Sequence, residues 1–307
     1  MKTKKPIISP TILAYSGLTL AIFFWSINTV IAKAVVLEIR PMTLSFYRWL
    51  LASIFIMPFA LPHLKKDINL IRQNLGFLFF LSIPSVAAYN SFLYLGAQYT
   101  TATNISLVVA TMPVMAIFLS WVMNREKPFV LELFGIMISM IGVLIIISQG
   151  SWQIFSTLVF NSGDLLIVLS IASWSFYSVL LKKKQINISS ISLLAVLFFW
   201  GTLCILPFYV WEFIVFQGFE LKSTTVIIFL YLGIFPSILA YLFWNFGVKT
   251  AGASIASVFM YLLPVFTSII AYLFLNENLF LYHFAGGLFI LSGLILSSFK
   301  QSSIRAG

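Results

Sequence analysis

Charged side chains are scarce in this sequence of 307 residues, which holds only 18 basic and 8 acidic residues, or 8% of the total. A soluble domain carries about 25% charged residues. The apolar fraction is 61% and the mean hydropathy is +1.05. Because such a chain lacks the polar side chains to cover a surface in water, the composition predicts a protein that is surrounded by lipid.

Cysteine and histidine are also nearly absent. Cys204 is the single cysteine, which excludes an internal disulfide. His63 and His283 lie far apart with no cluster of cysteines or carboxylates beside them, which argues against zinc. The sequence has no glycine-rich phosphate loop, no nucleophile elbow and no metalloprotease motif. We therefore predict no enzyme activity and no cofactor or metal.

The net charge of +10 would suggest a nucleic-acid partner in a soluble protein. Here the basic residues are scattered between apolar runs, so we expect no nucleic acid and assign them to membrane topology. We predict an all-α membrane protein with ten transmembrane helices. Their expected ranges are 11–34, 43–62, 75–97, 102–123, 130–148, 164–182, 191–215, 225–247, 252–274 and 281–299.

The basic residues also predict an orientation. If both termini are cytoplasmic, fourteen of the 18 fall inside, three fall outside, and Arg48 lies within a span. This bias follows the positive-inside rule and requires an even number of spans. The run 12–31 exceeds the usual signal-peptide core, so we expect an uncleaved first span in a bacterial-type inner (plasma) membrane.

The two halves of the chain resemble each other. At an offset of 151, residues 102–142 align with 253–293 and share proline, glutamate and glycine positions, and at an offset of 149 Trp25-Ser26 aligns with Trp174-Ser175. We predict two five-helix repeats, 1–148 and 164–307, joined by an extracytoplasmic connector at 149–163. Because five is odd, the second repeat enters the membrane inverted, which is typical of secondary transporters with a central site.

The same residues resemble the EamA-type transporters of the drug/metabolite transporter superfamily, over essentially the whole chain. The similarity rests on Trp25-Ser26-Ile27-Asn28, on Arg48, and on the two stretches that run from Thr101 to Gly142 and from Ala253 to Gly293. The resemblance implies a fold of two inverted five-helix repeats around a central cavity. It also implies transport of small metabolites, often export of amino acids or related compounds.

Arg48 is the one charge clearly inside a predicted span, where a charge is costly and is a functional candidate. It could hold a substrate carboxylate, reach the outer interface, or bind carbonyls at a broken helix end. Mid-span Trp and Tyr need hydrogen-bond partners, so we expect them with small polar residues around the cavity. These further candidates are Trp25, Asn28, Tyr89, Asn90, Tyr94, Asn104, Ser106, Trp174, Tyr177, Trp244, Asn245, Ser254, Ser257 and Tyr261.

Proline, glycine and glutamate recur at matching positions in both halves. Pro113 and Pro264 lie mid-span, where proline kinks a helix and could serve as a hinge or only as a static bend. Gly135 and Gly142, like Gly286 and Gly293, are seven apart on one helix face, which predicts close packing as a scaffold or homodimer contact. Glu126 and Glu277 precede helices, which favours capping, with gating as the alternative.

The predicted function is a secondary transporter that carries amino acids or related zwitterionic or aromatic compounds by alternating access, as an exporter or exchanger. None of the acidic residues falls at a predicted midplane, which favours exchange, or coupling without a central carboxylate. The alternatives are an uptake carrier for a nucleotide-derived cofactor or other nutrient, and a non-transporting lipid-handling or assembly protein. The expected partners are the bilayer and a small-molecule substrate.

Overall fold

A computed structural model describes residues 9–125, 129–157, 161–184, 186–251, 256 and 259–298. Within these ranges the chain is helical and no residue lies in a strand. The α-helices are α1 (Pro10–Ala34), α2 (Pro41–Gln73), α3 (Leu75–Ser82), α4 (Tyr89–Ala97), α5 (Ala102–Val109), α6 (Met112–Asn124), α7 (Val130–Ile147), α8 (Trp152–Thr157), α9 (Ser162–Lys183), α10 (Ser190–Phe216), α11 (Ser223–Ile234), α12 (Ala240–Ala251), α13 (Leu262–Leu275) and α14 (Leu281–Ser298). Two π-helical turns, Ile83–Ala88 and Phe235–Leu239, join α3 to α4 and α11 to α12.

Six helical stretches in the described residues are long and apolar enough to cross a bilayer. They are α1, α2, α9, α10, and the two composite stretches Leu75–Ala97 and Ser223–Ala251. Helices α5 and α6 form a seventh if the pair counts as one span, and three shorter apolar helices remain. The chain is therefore a multi-pass membrane protein, whereas the count of ten spans stays a prediction.

Helix α2 continues eleven residues beyond its predicted end at 62 and includes Pro58 and Pro62. The added part carries charged residues, so its hydropathy marks a connector although its backbone is helical. Asp67 in this extension accepts a hydrogen bond at 2.9 Å from the backbone N–H of Ser189, which precedes α10. A helical segment outside the apolar span is therefore held by a tertiary contact that hydropathy cannot detect.

Short polar residues begin several of the helices. Ser9, Thr101, Asn161 and Ser189 each accept a hydrogen bond from a backbone N–H two or three residues further on. Such capping stabilises a helix by about 1 kcal/mol because it satisfies an amide that has no partner within the helix. The described connectors are short, so these caps also fix where each helix starts relative to its neighbours.

The halves pack against each other in matching pairs. Helix α1 packs on α12 and α13, and in the other half α9 packs on α4 and α6. Helix α2 packs on α10, and α7 packs on α14. The core therefore lies between the halves, and the helices that meet there are those that the sequence repeat relates.

Glycines allow α7 and α14 to approach closely. A Cβ added to Gly142 would lie 2.6 Å from the carbonyl oxygen of Gly286, and one added to Gly293 would lie 2.7 Å from the backbone nitrogen of Ser139. A Cβ at either position would therefore force the helices apart. The predicted small-residue stripes of the two halves thus meet within one chain, and the carbonyl of Gly135 also lies against Gly293.

Candidate functional site

A cavity of about 350 Å³ lies between the two halves. Its wall combines aromatic rings with small polar groups and one cation. The lining residues are Trp25, Asn28, Thr29, Arg48, Tyr89, Asn90, Leu93, Val109, Met112, Pro113, Ala116, Trp174, Ser175, Ser178, Tyr241, Trp244, Met260 and Leu263. Both halves contribute, so any movement of one half against the other changes the shape of this space.

Arg48 is the most constrained side chain of the wall. It is 2% exposed, and its Nη1 donates to Asn28 Oδ1 at 2.9 Å, to Asn90 Oδ1 at 2.8 Å and to the Tyr94 hydroxyl at 2.8 Å. Its Nε donates to Ser237 Oγ at 2.7 Å. These contacts come from both halves, and they hold the guanidinium in one orientation.

The hydrogen-bond acceptors of Arg48 in the described part of the chain are all neutral oxygen atoms. Its Nη2 makes only a long contact of 3.5 Å, to the carbonyl oxygen of Pro236. A buried charge that has hydrogen bonds but no counter-ion is costly, because neutral dipoles replace water only partly. The site therefore offers an uncompensated positive charge, with Nη2 as its least occupied donor.

Asn90 adds a second donor beside the cation. Its Oδ1 faces Arg48, and since a guanidinium only donates, this contact fixes which way the amide points. The Nδ2 of Asn90 is buried and has no hydrogen-bond partner within the described residues. An unpartnered buried donor costs about 1–3 kcal/mol, so the wall is poised to accept an oxygen from a ligand.

The π-helical turn at Phe235–Leu239 supplies contacts that the sequence analysis missed. Ser237 donates to the carbonyl oxygen of Leu232 at 2.8 Å while it accepts from Arg48. The carbonyl of Pro236 accepts from the indole nitrogen of Trp25 at 3.0 Å. The missed signal is the hexapeptide pattern Pro-Ser-x-x-Ala-Tyr, which occurs at 84–89 and again at 236–241.

Aromatic rings form the rest of the wall. Trp25 packs on Tyr241 and Trp244, with ring centroids 6.0 and 5.4 Å apart. Trp174 packs on Tyr89 and Tyr241, at 5.2 and 5.7 Å. These spacings and the tilted or edge-on geometry are those that aromatic pairs prefer. The cavity thus places flat apolar surfaces next to the Arg48 charge.

Each proline proposed as a hinge lies beside a break in helix. Helices α5 and α6 are bent by 43° relative to each other, and Pro113 is the second residue of α6 and lines the cavity. Ser175 donates to the carbonyl of Met112, directly before Pro113, at 3.2 Å. Ser26 makes the repeat-related contact, to Leu263 before Pro264, at 3.3 Å. Each half thus holds the proline break of the other.

Several predicted cavity residues lie elsewhere. Tyr94 and Tyr177 stand behind the wall, where Tyr94 bonds to Arg48 and Tyr177 packs on Trp174. Asn104 and Ser106 lie in α5 away from the cavity, because Asn104 contacts His283 and Ser106 donates to a carbonyl of its own helix. The cavity wall also lacks Asn245 and Tyr261. Ser254, Ser257 and Glu126 lie outside the described residues.

Two glutamates each hold the beginning of a distant helix. Glu277 accepts from the backbone amides of Ala102 and Thr103 at 2.7 and 3.0 Å, and from the Thr103 hydroxyl. Glu212 does the same at the start of α2, for Met42 and Thr43. Glu277 therefore caps α5 of the other half, whereas sequence proximity favoured the helix that follows it.

The fold and the cavity define a multi-pass helical membrane protein with a ligand-sized space between two related halves. The model of the EamA-like transporter family matches residues 12–148 and 161–299. The chain belongs to this family, which confirms the resemblance that the sequence motifs predicted, and proteins of this family are membrane transporters.

Two relatives match along most of their length. An uncharacterized transporter of Archaeoglobus fulgidus is 31% identical over 290 residues, which cover 92% of this chain and 96% of that protein. The uncharacterized transporter YetK of Bacillus subtilis is 26% identical, with 94% and 87% covered. A solved crystal structure with 15% identity superposes with a TM-score of 0.63 over 97% of this chain and 98% of its own, a likeness that shows the fold.

Proposed function

We propose that this transporter carries small metabolites that join a carboxylate to an apolar or aromatic body, such as amino acids and related zwitterions. The carboxylate binds Arg48 Nη2 and Asn90 Nδ2, and the body lies against the rings of Trp25, Trp174 and Tyr241. Transport proceeds by alternating access, and the protein works as an exporter or exchanger.

The observation that carries this proposal is the charge of Arg48. A guanidinium and a carboxylate match in geometry and in sign, and the pair is strong where water is excluded. The donors Nη2 of Arg48 and Nδ2 of Asn90 both lack a good acceptor, which a carboxylate with two oxygens would supply. The ligand would thus complete the hydrogen bonding of the wall.

The size of the cavity separates this proposal from its alternatives. A volume of about 350 Å³ lies at the low end of the range of about 300–1,000 Å³ for ligand sites, which favours a small metabolite over a nucleotide-derived cofactor. A lipid-handling or assembly role has no need for a buried cation beside an aromatic cavity of this size. The carrier accounts for both features.

We further propose the complete architecture. Ten spans form two inverted five-helix repeats, 1–148 and 164–307, with the connector 149–163 outside and both termini in the cytoplasm of a bacterial-type inner membrane. The two separate family matches and the paired packing of α1 on α12 and α9 on α4 support the repeats. The distribution of basic residues supports the orientation.

The test is exchange by the full-length protein in liposomes. Vesicles loaded with unlabelled phenylalanine, phenylacetate or phenethylamine are placed in labelled phenylalanine, and uptake of label is followed. We expect exchange with the two carboxylates and none with the amine, since only the carboxylates complement Arg48. Exchange that the amine supports as well as the acids would contradict the proposal, and so would the absence of exchange with every carboxylate.

A further inference from the structure

A polar chain, meaning a row of buried side chains joined by hydrogen bonds, lies away from the cavity. It is at the end of the bundle where α5, α9 and α14 begin. His283 Nε2 lies 3.1 Å from Asn104 Oδ1, and Asn104 Nδ2 donates to Thr100 Oγ1 at 3.3 Å. Thr100 in turn donates to Asp164 Oδ1 at 2.5 Å. Each of these residues is at most 5% exposed.

The hydrogen bonds of this polar chain all run in one direction, from His283 towards Asp164. The backbone N–H of Phe280 donates to His283 Nδ1 at 2.9 Å, so the ring proton is on Nε2 and points at Asn104. A second proton on His283 would place a donor against the Phe280 amide. His283 is therefore held neutral, and Asp164 is the final acceptor of the chain.

Asp164 is buried and receives fewer hydrogen bonds than the two capping glutamates. Glu277 and Glu212 each receive two backbone amides and a hydroxyl. Asp164 receives the Thr100 hydroxyl on Oδ1, whereas its Oδ2 is buried and has no partner within the described residues. Because an ionised carboxylate needs donors on both oxygens when it is buried, Oδ2 is incomplete without a proton.

Close helix packing encloses Asp164. A Cβ added to Gly163 would lie 2.7 Å from the carbonyl oxygen of Gly96, so α9 begins in direct contact with the end of α4. The enclosure is thin, because Tyr99 packs beside Gly163 and is itself 56% exposed. An exposed side chain thus packs against the residue that directly precedes Asp164.

The ionisable neighbours do not supply a counter-ion for Asp164. Lys33 of α1 donates to the carbonyl of Ala97 at 3.0 Å, and the carboxylate that acts on it is Glu277, which precedes α14. On α14, Tyr282 interacts with Asp164, and His283 belongs to the polar chain described above. These groups, with Tyr99 on the connector after α4, are those that face this cluster from the elements around it.

We propose that Oδ2 of Asp164 binds and releases a proton during the transport cycle and so couples transport to the proton gradient. One proton adds to the carboxylate and later leaves it, and no other bond changes. The coupling rests on the proposed function, whereas proton binding itself does not. The site lies off the midplane, as the sequence analysis expected of the acidic residues.

Helix α5 connects this site to the cavity. Thr100 lies just before α5, Asn104 lies within it, and Glu277 caps it. At its other end α5 reaches Val109 and the break before Pro113, both in the cavity wall. Protonation of Oδ2 weakens the hydrogen bond that Thr100 donates to Oδ1, and in the proposed coupling this change shifts α5 relative to α6.

Infrared difference spectroscopy of the full-length protein in lipid, recorded as the pH is lowered, tests proton binding without any substrate. We expect the high-frequency C=O band of a weakly hydrogen-bonded carboxyl group, absent in Asp164→Asn and retained in Glu220→Gln, which removes an exposed carboxylate. A band unchanged in Asp164→Asn would overturn the proposal. Thr100→Val keeps the carboxyl but removes its donor, so its band should appear at higher pH, and an unshifted band would equally count against the site.

The liposome exchange assay separates the two proposals. Asp164→Asn should still exchange labelled phenylalanine but lose accumulation driven by a pH gradient. If accumulation persists in Asp164→Asn, the coupling is refuted while the carboxylate carrier stands. If wild-type protein shows the infrared band but no carboxylate exchanges, the carrier is refuted and the proton site stands.

Discussion

The two halves of the chain share the shape of the cavity wall but not its chemistry. Both contain a π-helical turn with the Pro-Ser-x-x-Ala-Tyr pattern, and both place a serine on the carbonyl before the proline break of the other. The polar side chains around Arg48 come mostly from the first half, and Ser237 is the contribution of the second. Arg48 and Asn28 align with Leu197 and Tyr177 at an offset of 149, Asn90 aligns with Leu242 at 152, and Tyr94 aligns with Asn245 at 151.

The two halves have kept the same backbone features after duplication but not the same polar side chains. The repeated backbone features build two walls of similar shape, as the proposed alternating access requires. A second arginine, at the matching position Leu197, would double the cost of burying charge. Only the first half carries the arginine. In the proposed function, this asymmetry orients the ligand in the cavity, with its carboxylate at the first half.

Arg48→Leu removes the main difference between the halves, because Leu197 is the matching residue of the second half, and it should have the largest effect. We expect carboxylate binding to weaken by about 30- to 1,000-fold, because a buried charge partner is worth about 2–4 kcal/mol. Labelled phenylalanine exchange in liposomes should fall to background.

The matched control is Leu197→Met, which conserves volume in the packed core. Size-exclusion profiles of both variants establish that each is folded. Exchange that survives Arg48→Leu in a folded protein would show that the charge does not hold the substrate.

Asn90→Leu gives the next largest effect, since it removes the unpartnered Nδ2 donor and one acceptor of Arg48. Affinity for phenylalanine should fall about tenfold, the equivalent of about 1.4 kcal/mol. Asn245→Leu changes the same residue type outside the cavity wall and should leave affinity within about twofold. Calorimetric titration measures both, and equal losses would argue against Asn90 as a ligand contact.

Ser237→Ala and Ser85→Ala form the finest comparison. Each serine lies in a π-helical turn and donates to a carbonyl of the preceding α-helix, at 2.8 Å for Ser237 and 2.7 Å for Ser85, so both variants should lose similar thermal stability. Only Ser237 accepts from Arg48. Affinity should therefore fall about fivefold in Ser237→Ala alone, for about 1 kcal/mol. Equal affinities would show that Ser237 does not orient the guanidinium.

Much of the fold follows from the sequence, because hydropathy reports burial in lipid directly. The stretch Leu75–Ala97 agrees with its predicted range, and Ser162–Lys183 differs by two residues or fewer at each end. The extension of α2 to Gln73 could not be found this way, since its charged residues read as a connector and a contact with Ser189 holds it.

Part of the site could also be predicted from hydropathy. A charge inside an apolar run is visible in the sequence, so Arg48 stood out, whereas Asn104 looked equally suited to the cavity until its contact with His283 placed it elsewhere. Ser237 does not stand out in the sequence, because its turn repeats at an offset of 152, whereas the other matching positions repeat at 149 and 151. Contacts between distant helices decide such cases.

The central claim is that Arg48 binds a carboxylate, and one calorimetric comparison tests it most directly. The purified full-length protein is titrated with 3-phenylpropionate and with 3-phenylpropionamide, which differ in charge but hardly in shape. The account predicts at least about tenfold tighter binding of the acid by wild-type protein, and no preference in Arg48→Leu. Equal affinities of acid and amide for the wild-type protein would contradict it.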